Sequence, residues 1–553
     1  MLGLQQIGVR GRMYEFIKVL YDISEVQVRL PTGVDSPAFK LERGLRQGCP
    51  ASPILFDIFI NDMFTEVHGE PKIDYGVEVP GVSVEQYGRL AGLLFADDMV
   101  GIAKDRWQLQ RIANRVTEWC RRWGMKVGIQ KCGVMVIGAP GWESRADVIQ
   151  EKLKDEWPIR ISSQNVPAVS EYKYLGLLIR RDLDIDVMAK GRLEKAEKTY
   201  RTIYPYLRCA SIPLAARVAV FKAVVVTTAL YGSEVWGMNI ARCSDIQMLL
   251  NKALRIMMGS SENDKTIPVA AMWRECNVPP VHATASANKA RALMKYGHLK
   301  TWIGILCNSP APRKGCKDPT WLEGAVSWIE KKEFGALLKD TGRENDASGV
   351  RAQGVVFRAI WGKVEKAKGN KASWAYVEAG YRSPSLAFAQ AIPEEARRDA
   401  VGLYQGLKML ALCRVGGLRT AIQIANACQE ADGAATYKEV CPCCGEKGEG
   451  ETIGHMLLEC RRWDNSRRIH LSGVVSKIGA IERSKHGRLI LLLGGKYMDQ
   501  KLEGWLPAKE GPRSQPSHEG DGTRTCIAFQ LAAFLKEIAG SRHAVLSQLK
   551  KDF

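Results

Sequence analysis

Two adjacent carboxylates between two apolar segments are the feature that most constrains how this chain can fold. Asp97 and Asp98 follow the apolar run 93–95 and precede a second apolar run, 99–103. Side chains alternate between the faces of a strand, and a buried charge is costly unless it is paired or bound to a metal. The pattern therefore predicts a β-hairpin whose tip holds a hard metal ion; the alternative is a solvated turn that carries two acids.

The composition indicates a folded, basic protein with several domains. A chain of 553 residues is too long for one core, so we expect two to four domains. With 46% hydrophobic and 25% charged residues, the composition is that of an ordinary globular protein and argues against general disorder. The formal net charge of +19 favours a polyanionic partner, with nucleic acid first and an anionic membrane surface second.

No segment has the pattern of a secretion signal or a transmembrane helix. The longest apolar run, 223–230, is far too short to cross a bilayer, and the first residues do not lead into an apolar signal core. Fifteen cysteines without a secretion signal indicate a reducing compartment. We therefore expect a soluble intracellular protein, located in the nucleus, the cytoplasm or both, with no membrane partner.

A glycine-rich loop leads into a predicted helix early in the chain. Residues 44–53 read GLRQGCPASP, and Ser52 with Pro53 forms a suitable N-cap and first-turn pair. Apolar residues at helical spacing follow, beginning with Leu55 and Phe56. The sequence therefore predicts an exposed backbone loop that feeds directly into a buried helix.

Hydrophobic periodicity predicts a mixed strand and helix region first and a helical region after it. The predicted elements are helices over 13–20 and 109–123, the second ending at Gly124, and strands over 26–30, 134–137 and 172–179. From about 188 to 307 the pattern is helical and basic, with close-set cations at Lys190, Arg192, Lys195, Lys198 and Arg201. Such a run is usually a solvated helix face; the alternative is a surface that contacts nucleic acid.

A second constellation of ligand-type residues lies near the C-terminus. Two residues separate Cys441 from Cys444, and four separate His455 from Cys460, so each pair can bind one ion. Tetrahedral structural Zn²⁺ is the predicted occupant; the alternatives are a reduced cluster without metal and a site in which Cys443 is a ligand. The Gly- and Glu-rich loop 446–454 is interpreted as a mobile connection between the pairs.

These motifs together resemble the reverse transcriptases of non-LTR (LINE-like) retrotransposons. The matching segments occur in the family's order: 44–53 with Phe56, 95–98, 124–127 with Lys131, 174–176 and 230–236. The resemblance implies an α+β fold, in which a partial right-hand polymerase palm is followed by mostly α-helical thumb and C-terminal regions with a small zinc-binding module. Related proteins often carry a Cys-Cys-His-Cys module after the polymerase. The module either contacts nucleic acid or only holds the C-terminal domain together. Four arginines lie near it in this sequence: Arg461, Arg462, Arg467 and Arg468.

The resemblance also implies an RNA-directed DNA polymerase that uses Mg²⁺ or Mn²⁺, an RNA template and a DNA primer or target. Asp97 is expected to bind the metal directly, and Asp98 either binds metal or positions the primer end. Lys131 is expected to face the triphosphate and protonate the pyrophosphate; the alternative is a solvated lysine. Arg46, Gln47 and Gly48 are expected to contact the nucleotide and template; the alternative is a plain surface turn. Protein partners are not implied.

One difference from the family, a missing aspartate, leaves two possible functions. The family places a further aspartate on a strand before the glycine loop, whereas this chain begins with residues that resemble the region after that strand. Asp22 could replace that ligand, but its neighbours fit the end of an amphipathic helix. Gly128 also stands where the family usually has asparagine. We therefore expect a truncated polymerase, weakened or inactive; the alternative is a non-catalytic nucleic-acid-binding remnant.

The predicted domain organisation follows from these motifs and from two Pro- and Gly-rich stretches. It comprises a partial palm over 1–180, a helical thumb-like region over 181–307, a helical connection region over 308–435, the zinc module with a small mixed segment over 436–506, a flexible linker over 507–524 and a C-terminal helix over 525–553.

Overall fold

The computed structural model describes most of the chain. The described residues are 2–31, 33–40, 44–46, 48–68, 75–138, 143–237, 239–264, 267–308, 321–324, 401–428, 434–495 and 527–552, with short pieces between 354 and 381. The chain divides into two compact units, of which the first comprises Met1–Val187 and Leu293–Lys332 and the second Met188–Ala292 and Glu333–Phe553. The domain boundaries expected from sequence remain predictions, and the expected linker over 507–524 lies outside the described residues.

The first unit combines helices with short antiparallel hairpins, in agreement with the predicted α+β class. Its strand pairs are Glu25–Val26 with Phe39–Lys40, Gly92–Phe95 with Asp98–Gly101, Ile159–Ile161 with Gln164–Val166, and Glu171–Tyr174 with Leu177–Arg180. Its helices are Leu2–Gln6, Gly11–Asp22, Ser52–His68, Val84–Tyr87, Arg106–Trp123, Glu143–Asp155 and Trp302–Asn308, with a 3₁₀ turn at Ile129–Lys131.

One apolar cluster holds the Ser52–His68 and Arg106–Trp123 helices against the hairpin of strands Gly92–Phe95 and Asp98–Gly101. Ile60 and Met63 of the Ser52–His68 helix pack with Ile112 and Trp119 of the Arg106–Trp123 helix, and these side chains are at most 5% exposed. Their helical spacing places each set on one helix face, which explains why the helices meet there. The second helix ends at Gly124 in the left-handed conformation (φ 66°), as predicted.

Four local expectations are modified. The predicted strand 26–30 is reduced to Glu25–Val26, beyond which Arg29 makes only an isolated bridge with Asp35. Residues 134–137 form no strand; Val134 makes only an isolated parallel bridge with Ala168. The predicted strand 172–179 is a hairpin, because Leu175 and Gly176 adopt positive φ (46° and 80°) and reverse the chain. The predicted N-terminal helix is present as Gly11–Asp22, but it buries no side chain.

The second unit is helical, in agreement with the helical pattern predicted from residue 188 onward. The helices that lie wholly or mostly in it are Asp186–Arg208, Leu214–Phe221, Thr227–Leu230, Ser233–Trp236, Ile240–Met258, Val269–Glu275, Val281–Gly297, Val401–Arg414, Ala421–Ala427, Thr436–Glu439, Ile453–Leu458, Asp464–Ile481, Lys485–Leu492 and Ile527–Asp552, with a π segment at Lys222–Val226 and a 3₁₀ turn at Arg461–Trp463. None of the described helices is both long enough and apolar enough to cross a membrane.

The C-terminal helix packs closely along the Val401–Arg414 helix. At Gly406 a side chain is sterically excluded, because a Cβ would lie 1.9 Å from the carbonyl oxygen of Ala532. Arg414, at the end of the same helix, is buried and lies 3.4 Å from a carboxylate oxygen of Glu275. The hydroxyl of Tyr376 donates to that carboxylate at 2.6 Å. These buried polar contacts join segments that are more than a hundred residues apart in sequence.

Candidate functional sites

The predicted hairpin around the two carboxylates is confirmed. Phe95 pairs with Asp98, so that Ala96 and Asp97 form the two-residue turn and Asp98 opens the second strand. Ala96 has a φ of 49°, and the left-handed conformation costs an L-residue about 1 kcal/mol. Both carboxylates are exposed, and neither side chain has a hydrogen-bond or ion-pair partner among the described residues. The tip therefore presents two adjacent unpaired carboxylates.

A second hairpin lies beside the carboxylates. Burial, the nearby Cys132 thiol and the negative charge of Asp98 raise the pKa of Tyr172. Burial and Asp98 likewise raise the pKa of Tyr174. The Tyr172 hydroxyl donates to the carbonyl oxygen of Lys131 at 2.5 Å. Asp98, the 174–176 turn and the Lys131 backbone are thus neighbours, and the Lys131 side chain is exposed.

The glycine-rich loop is held by side-chain contacts different from those expected. Gly48 has a φ of +84°, a backbone conformation that residues with a side chain rarely adopt. Ser52 was expected to cap the following helix, but its hydroxyl donates to the Arg46 carbonyl oxygen at 2.8 Å and contacts the Tyr21 hydroxyl at 3.1 Å. The Arg46 side chain remains exposed, whereas Gln47 lies outside the described residues. No described hydrogen bond or ion pair joins this loop to the carboxylate hairpin.

Carboxylate oxygens are suitable ligands for Mg²⁺, which usually binds one or two protein carboxylates together with substrate phosphates. Asp97 and Asp98 therefore fit such an ion. Within the described ranges no third acidic side chain joins them in a ligand cluster. Asp22, the substitute considered from sequence, is the last residue of the Gly11–Asp22 helix.

The four expected zinc ligands converge. One ligand atom each from Cys441, Cys444, His455 and Cys460 lies within 4.8 Å of every other. The first pair sits on a tight turn, in which the Gly445 amide donates to the Cys441 carbonyl at 2.8 Å and Gly445 has a φ of 75°. His455 lies in the Ile453–Leu458 helix, whose N-cap is formed by a threonine side chain. Three cysteine sulfurs and one imidazole at this spacing fit a tetrahedral Zn²⁺ site.

A thiol and a carboxylate lie near the two ring nitrogens of His455. Its Nε2 lies 3.4 Å from Cys444 Sγ, and its Nδ1 lies 3.8 Å from a carboxylate oxygen of Glu459. Lys485 pairs with Glu459 at 2.7 Å and also with Glu449. An acidic partner on the outer nitrogen is the usual arrangement around a metal-bound histidine, because it fixes the ring and leaves the inner nitrogen free for the metal.

Cys443, the alternative ligand, is not among the four converging residues. Its Sγ lies 3.8 Å from Glu451 rather than in the four-residue cluster. Hydrogen bonds with the Cys443 and Cys460 thiols hold the pKa of Cys441 well below its usual value. The same hydrogen bonds raise the pKa values of Cys443 and Cys460, so they favour a thiolate at Cys441 and thiols at its two neighbours.

The cations expected to contact nucleic acid are partly engaged inside the protein. Arg467 is buried and donates to the carbonyl oxygens of Leu457 and Cys460 at 2.9 and 3.0 Å. Arg461 pairs with Glu446 at 2.7 Å, while Arg462 and Arg468 are exposed. Arg467 is therefore a structural residue, because it satisfies carbonyl groups at the end of the histidine-bearing helix.

The basic run after residue 188 likewise contains both buried and exposed cations. The Arg192 side chain is buried, with its guanidinium 4.4 Å from the centre of the Tyr231 ring. Tyr231 belongs to the expected thumb segment 230–236, so this cation packs internally. Lys190, Lys195, Lys198 and Arg201 are exposed.

Sequence reasoning missed Glu451, which lies in the loop interpreted as a mobile connection. Its carboxylate is buried and pairs with Arg542, 91 residues away. Nothing in the local pattern of Gly and Glu residues distinguishes it from its solvated neighbours. The sequence offers one indirect signal. The loop joins two pairs of ligand-type residues, and the C-terminal helix carries a charged residue, Arg542, among apolar ones.

Comparison with known proteins defines the class. Residues 7–179 match the profile of the reverse transcriptase (RNA-dependent DNA polymerase) family. The chain is 24% identical over 224 residues to a probable RNA-directed DNA polymerase from transposon X-element of Drosophila melanogaster, a match that covers 39% of this chain and 22% of the relative. It is 23% identical over 248 residues to a probable RNA-directed DNA polymerase from transposon BS of the same fly, covering 44% and 25%.

A third relative is the retrovirus-related Pol polyprotein from type-1 retrotransposable element R2 of Nasonia vitripennis, which is 26% identical over 139 residues and covers 25% of this chain and 12% of the relative. Residues 7–179 thus match the reverse transcriptase family, and each of these relatives is a protein of a transposable element. The matched part spans a quarter or less of each of these relatives.

Proposed function

We propose that this chain is an RNA-directed DNA polymerase derived from a non-LTR retroelement, with Asp97 and Asp98 as the ligands of a catalytic Mg²⁺ or Mn²⁺. The observation that carries the proposal is the hairpin tip, where two adjacent carboxylates are exposed without side-chain partners in the described structure. Two divalent ions, when bound, activate the primer hydroxyl and stabilise the leaving pyrophosphate.

The remaining roles are those that the resemblance to non-LTR reverse transcriptases implies, and the position of Asp98 supports one of them. Asp98 lies beside the 174–176 hairpin, which is therefore proposed to hold the primer end near the carboxylates. The exposed Lys131 donates a proton to the pyrophosphate, and Arg46, Gln47 and Gly48 contact the nucleotide and the RNA template. In the second unit the exposed cations Lys190, Lys195, Lys198 and Arg201 bind the phosphates of the template–primer duplex.

One observation favours the alternative, a non-catalytic nucleic-acid-binding remnant. In the described part of the chain, no third acidic ligand accompanies Asp97 and Asp98. Loss of one carboxylate from a two-metal site removes stabilisation of the developing charge and lowers the rate by orders of magnitude.

Primer extension on an RNA template distinguishes these functions. The full chain is assayed with Mg²⁺ and separately with Mn²⁺, beside Asp97→Ala and a control, Asp155→Ala, which removes an exposed carboxylate from the end of another helix. We expect incorporation that Asp97→Ala lowers by roughly 100-fold or more and that the control leaves unchanged. Absence of incorporation with both metals, while the chain still binds template–primer, would establish the remnant.

We further propose that Cys441, Cys444, His455 and Cys460 hold a structural Zn²⁺. Convergence of the four ligand atoms supports this, and Glu459 supports the histidine. Since Arg467 is engaged within the protein, the module serves chiefly to hold the C-terminal region together. Cysteines stay reduced and able to bind metal in a reducing compartment, so this site suits an intracellular location.

A further inference from the structure

The outer face of the Arg106–Trp123 helix combines exposed aromatic rings with positive charge. Its inner face, including Ile112 and Trp119, is buried against the hairpin cluster. The helix sequence contains five arginines and a single acid, Glu118. The outer face is therefore strongly basic, and it points away from the core that supports the carboxylate hairpin.

Trp107 lies at the N-terminal end of this face, and Trp157, which follows the Glu143–Asp155 helix, lies next to it. Trp107 is 70% exposed, and Trp157 is 40% exposed. Arg106 connects them: its guanidinium lies 4.6 Å from the centre of the Trp107 ring, and its Nε donates to the Trp157 carbonyl oxygen at 3.0 Å. Lys152 lies 4.4 Å from the centre of the Trp157 ring and also pairs with Glu156 at 3.6 Å. Each ring thus carries a cation on or near its face.

The arginines continue from the tryptophans along the helix. Trp107, Arg111, Arg115 and Arg122 are exposed and follow one another at spacings that keep them on one side of the helix. At 1.5 Å per residue, this row extends about 22 Å. Only Arg122 faces the acid of the helix, at 3.9 Å from Glu118. The outer face therefore carries a strongly exposed ring at the start of a row of arginines.

We propose that this face binds single-stranded nucleic acid, with unpaired bases stacked on Trp107 and Trp157 and the backbone phosphates on Arg111 and Arg115. Flat aromatic rings within a basic track are the combination by which proteins hold single strands, because every base offers a face for stacking. A protein partner is less well matched, since the excess of arginines would need an acidic surface while the exposed rings favour planar ligands. Single-stranded RNA is the occupant that we name, a choice that rests on the proposed function.

This inference does not rest on polymerase activity and is tested without it. The full chain carrying Asp97→Asn and Asp98→Asn is titrated into a fluorescein-labelled short single-stranded RNA, followed by fluorescence anisotropy. Unlabelled template–primer duplex is present in excess to occupy the polymerase channel. Binding is measured at several salt concentrations, because the slope of log affinity against log salt counts the phosphate contacts.

Trp107→Ala is expected to weaken binding of the single strand roughly 5- to 100-fold, whereas Trp107→Phe retains most of the affinity. Arg111→Gln with Arg115→Gln is expected to reduce the salt slope by about 1.4, which corresponds to two lost phosphate contacts on a single strand. The matched control, Arg12→Gln with Lys18→Gln, removes two exposed charges from the Gly11–Asp22 helix and should leave both quantities unchanged.

Two results would overturn the assignment. The first is wild-type affinity and salt slope in both the Trp107 and the arginine variants. The second is an equal loss of affinity for a blunt duplex, since paired bases cannot stack on the rings. Because all substituted side chains are exposed, circular dichroism and melting temperature should match those of the parent chain, and they serve as the check on folding.

Discussion

Glu451 and Arg542 form a buried ion pair that joins the cysteine-rich loop to the C-terminal helix. Arg542 Nε lies 2.7 Å from Glu451 Oε1, and the two side chains are 6% and 1% exposed. Glu451 also accepts a hydrogen bond from the Ala421 amide at 2.9 Å and contacts Cys443, while Arg542 donates to the Arg419 carbonyl at 2.5 Å. The pair therefore connects four segments of the second unit.

Removing one partner of this pair should be strongly destabilising. Arg542→Leu leaves the Glu451 carboxylate buried without a counter-charge, and we expect a loss of about 3–5 kcal/mol in the free energy of unfolding. The control is Arg468→Leu, an exposed arginine that should change stability by about 0.5 kcal/mol or less. Urea unfolding followed by circular dichroism measures both. Equal effects of the two variants would show that the pair is not a stabilising contact.

The two neighbouring cysteines on the turn should differ in metal binding. We expect one zinc per chain, measured by inductively coupled plasma mass spectrometry after gel filtration. Cys444→Ser should abolish it, because Cys444 lies in the four-ligand cluster, whereas Cys443→Ser should retain it. Chelation should lower the melting temperature of the wild type and of Cys443→Ser alike, since metal binding supplies folding free energy. Zinc retained by Cys444→Ser and lost from Cys443→Ser would reverse the assignment of ligands.

Much of the local structure and of the Cys-Cys-His-Cys cluster was predictable, because short-range patterns encode them. The end of a helix at Gly124 follows from its glycine, and the hairpin at Asp97 and Asp98 follows from charges that interrupt an apolar run. The internal roles of Arg192 and Arg467 were not predictable, since a buried arginine differs from a solvated one only in what the rest of the chain places around it. The same holds for Glu451, whose partner lies 91 residues away.

Lys289 should make stability depend on pH. Burial and the nearby Arg242 lower the pKa of Lys289 to about 7 from its usual 10.5. Between these two values the unfolded chain binds more protons than the folded one, so this group makes stability rise with pH across that range. Below about pH 7 the lysine is charged in both states, and the cost of burying the charge is fully present.

Lys289→Met should therefore raise the melting temperature relative to the wild type. The gain should be greatest below the folded-state pKa of about 7 and should shrink as the pH approaches 10.5. Thermal melts across this range, with the exposed Lys190→Met as control, provide the measurement. A difference between wild type and variant that stays constant with pH would show that Lys289 does not titrate in this range.

Two glycines of the second unit should respond oppositely to the same substitution. A Cβ at Gly237 would lie 2.2 Å from the Cβ of Ala285, itself fully buried, and 2.6 Å from the Ser233 carbonyl oxygen. At Gly191, inside the Asp186–Arg208 helix, a Cβ would meet nothing within 4 Å. Gly237→Ala should therefore destabilise the protein by about 3 kcal/mol through overpacking, whereas Gly191→Ala should stabilise it by about 0.5–1 kcal/mol through helix propensity. Denaturant titration of both variants checks the pair. A neutral Gly237→Ala would show that Gly237 does not pack this closely against the Val281–Gly297 helix.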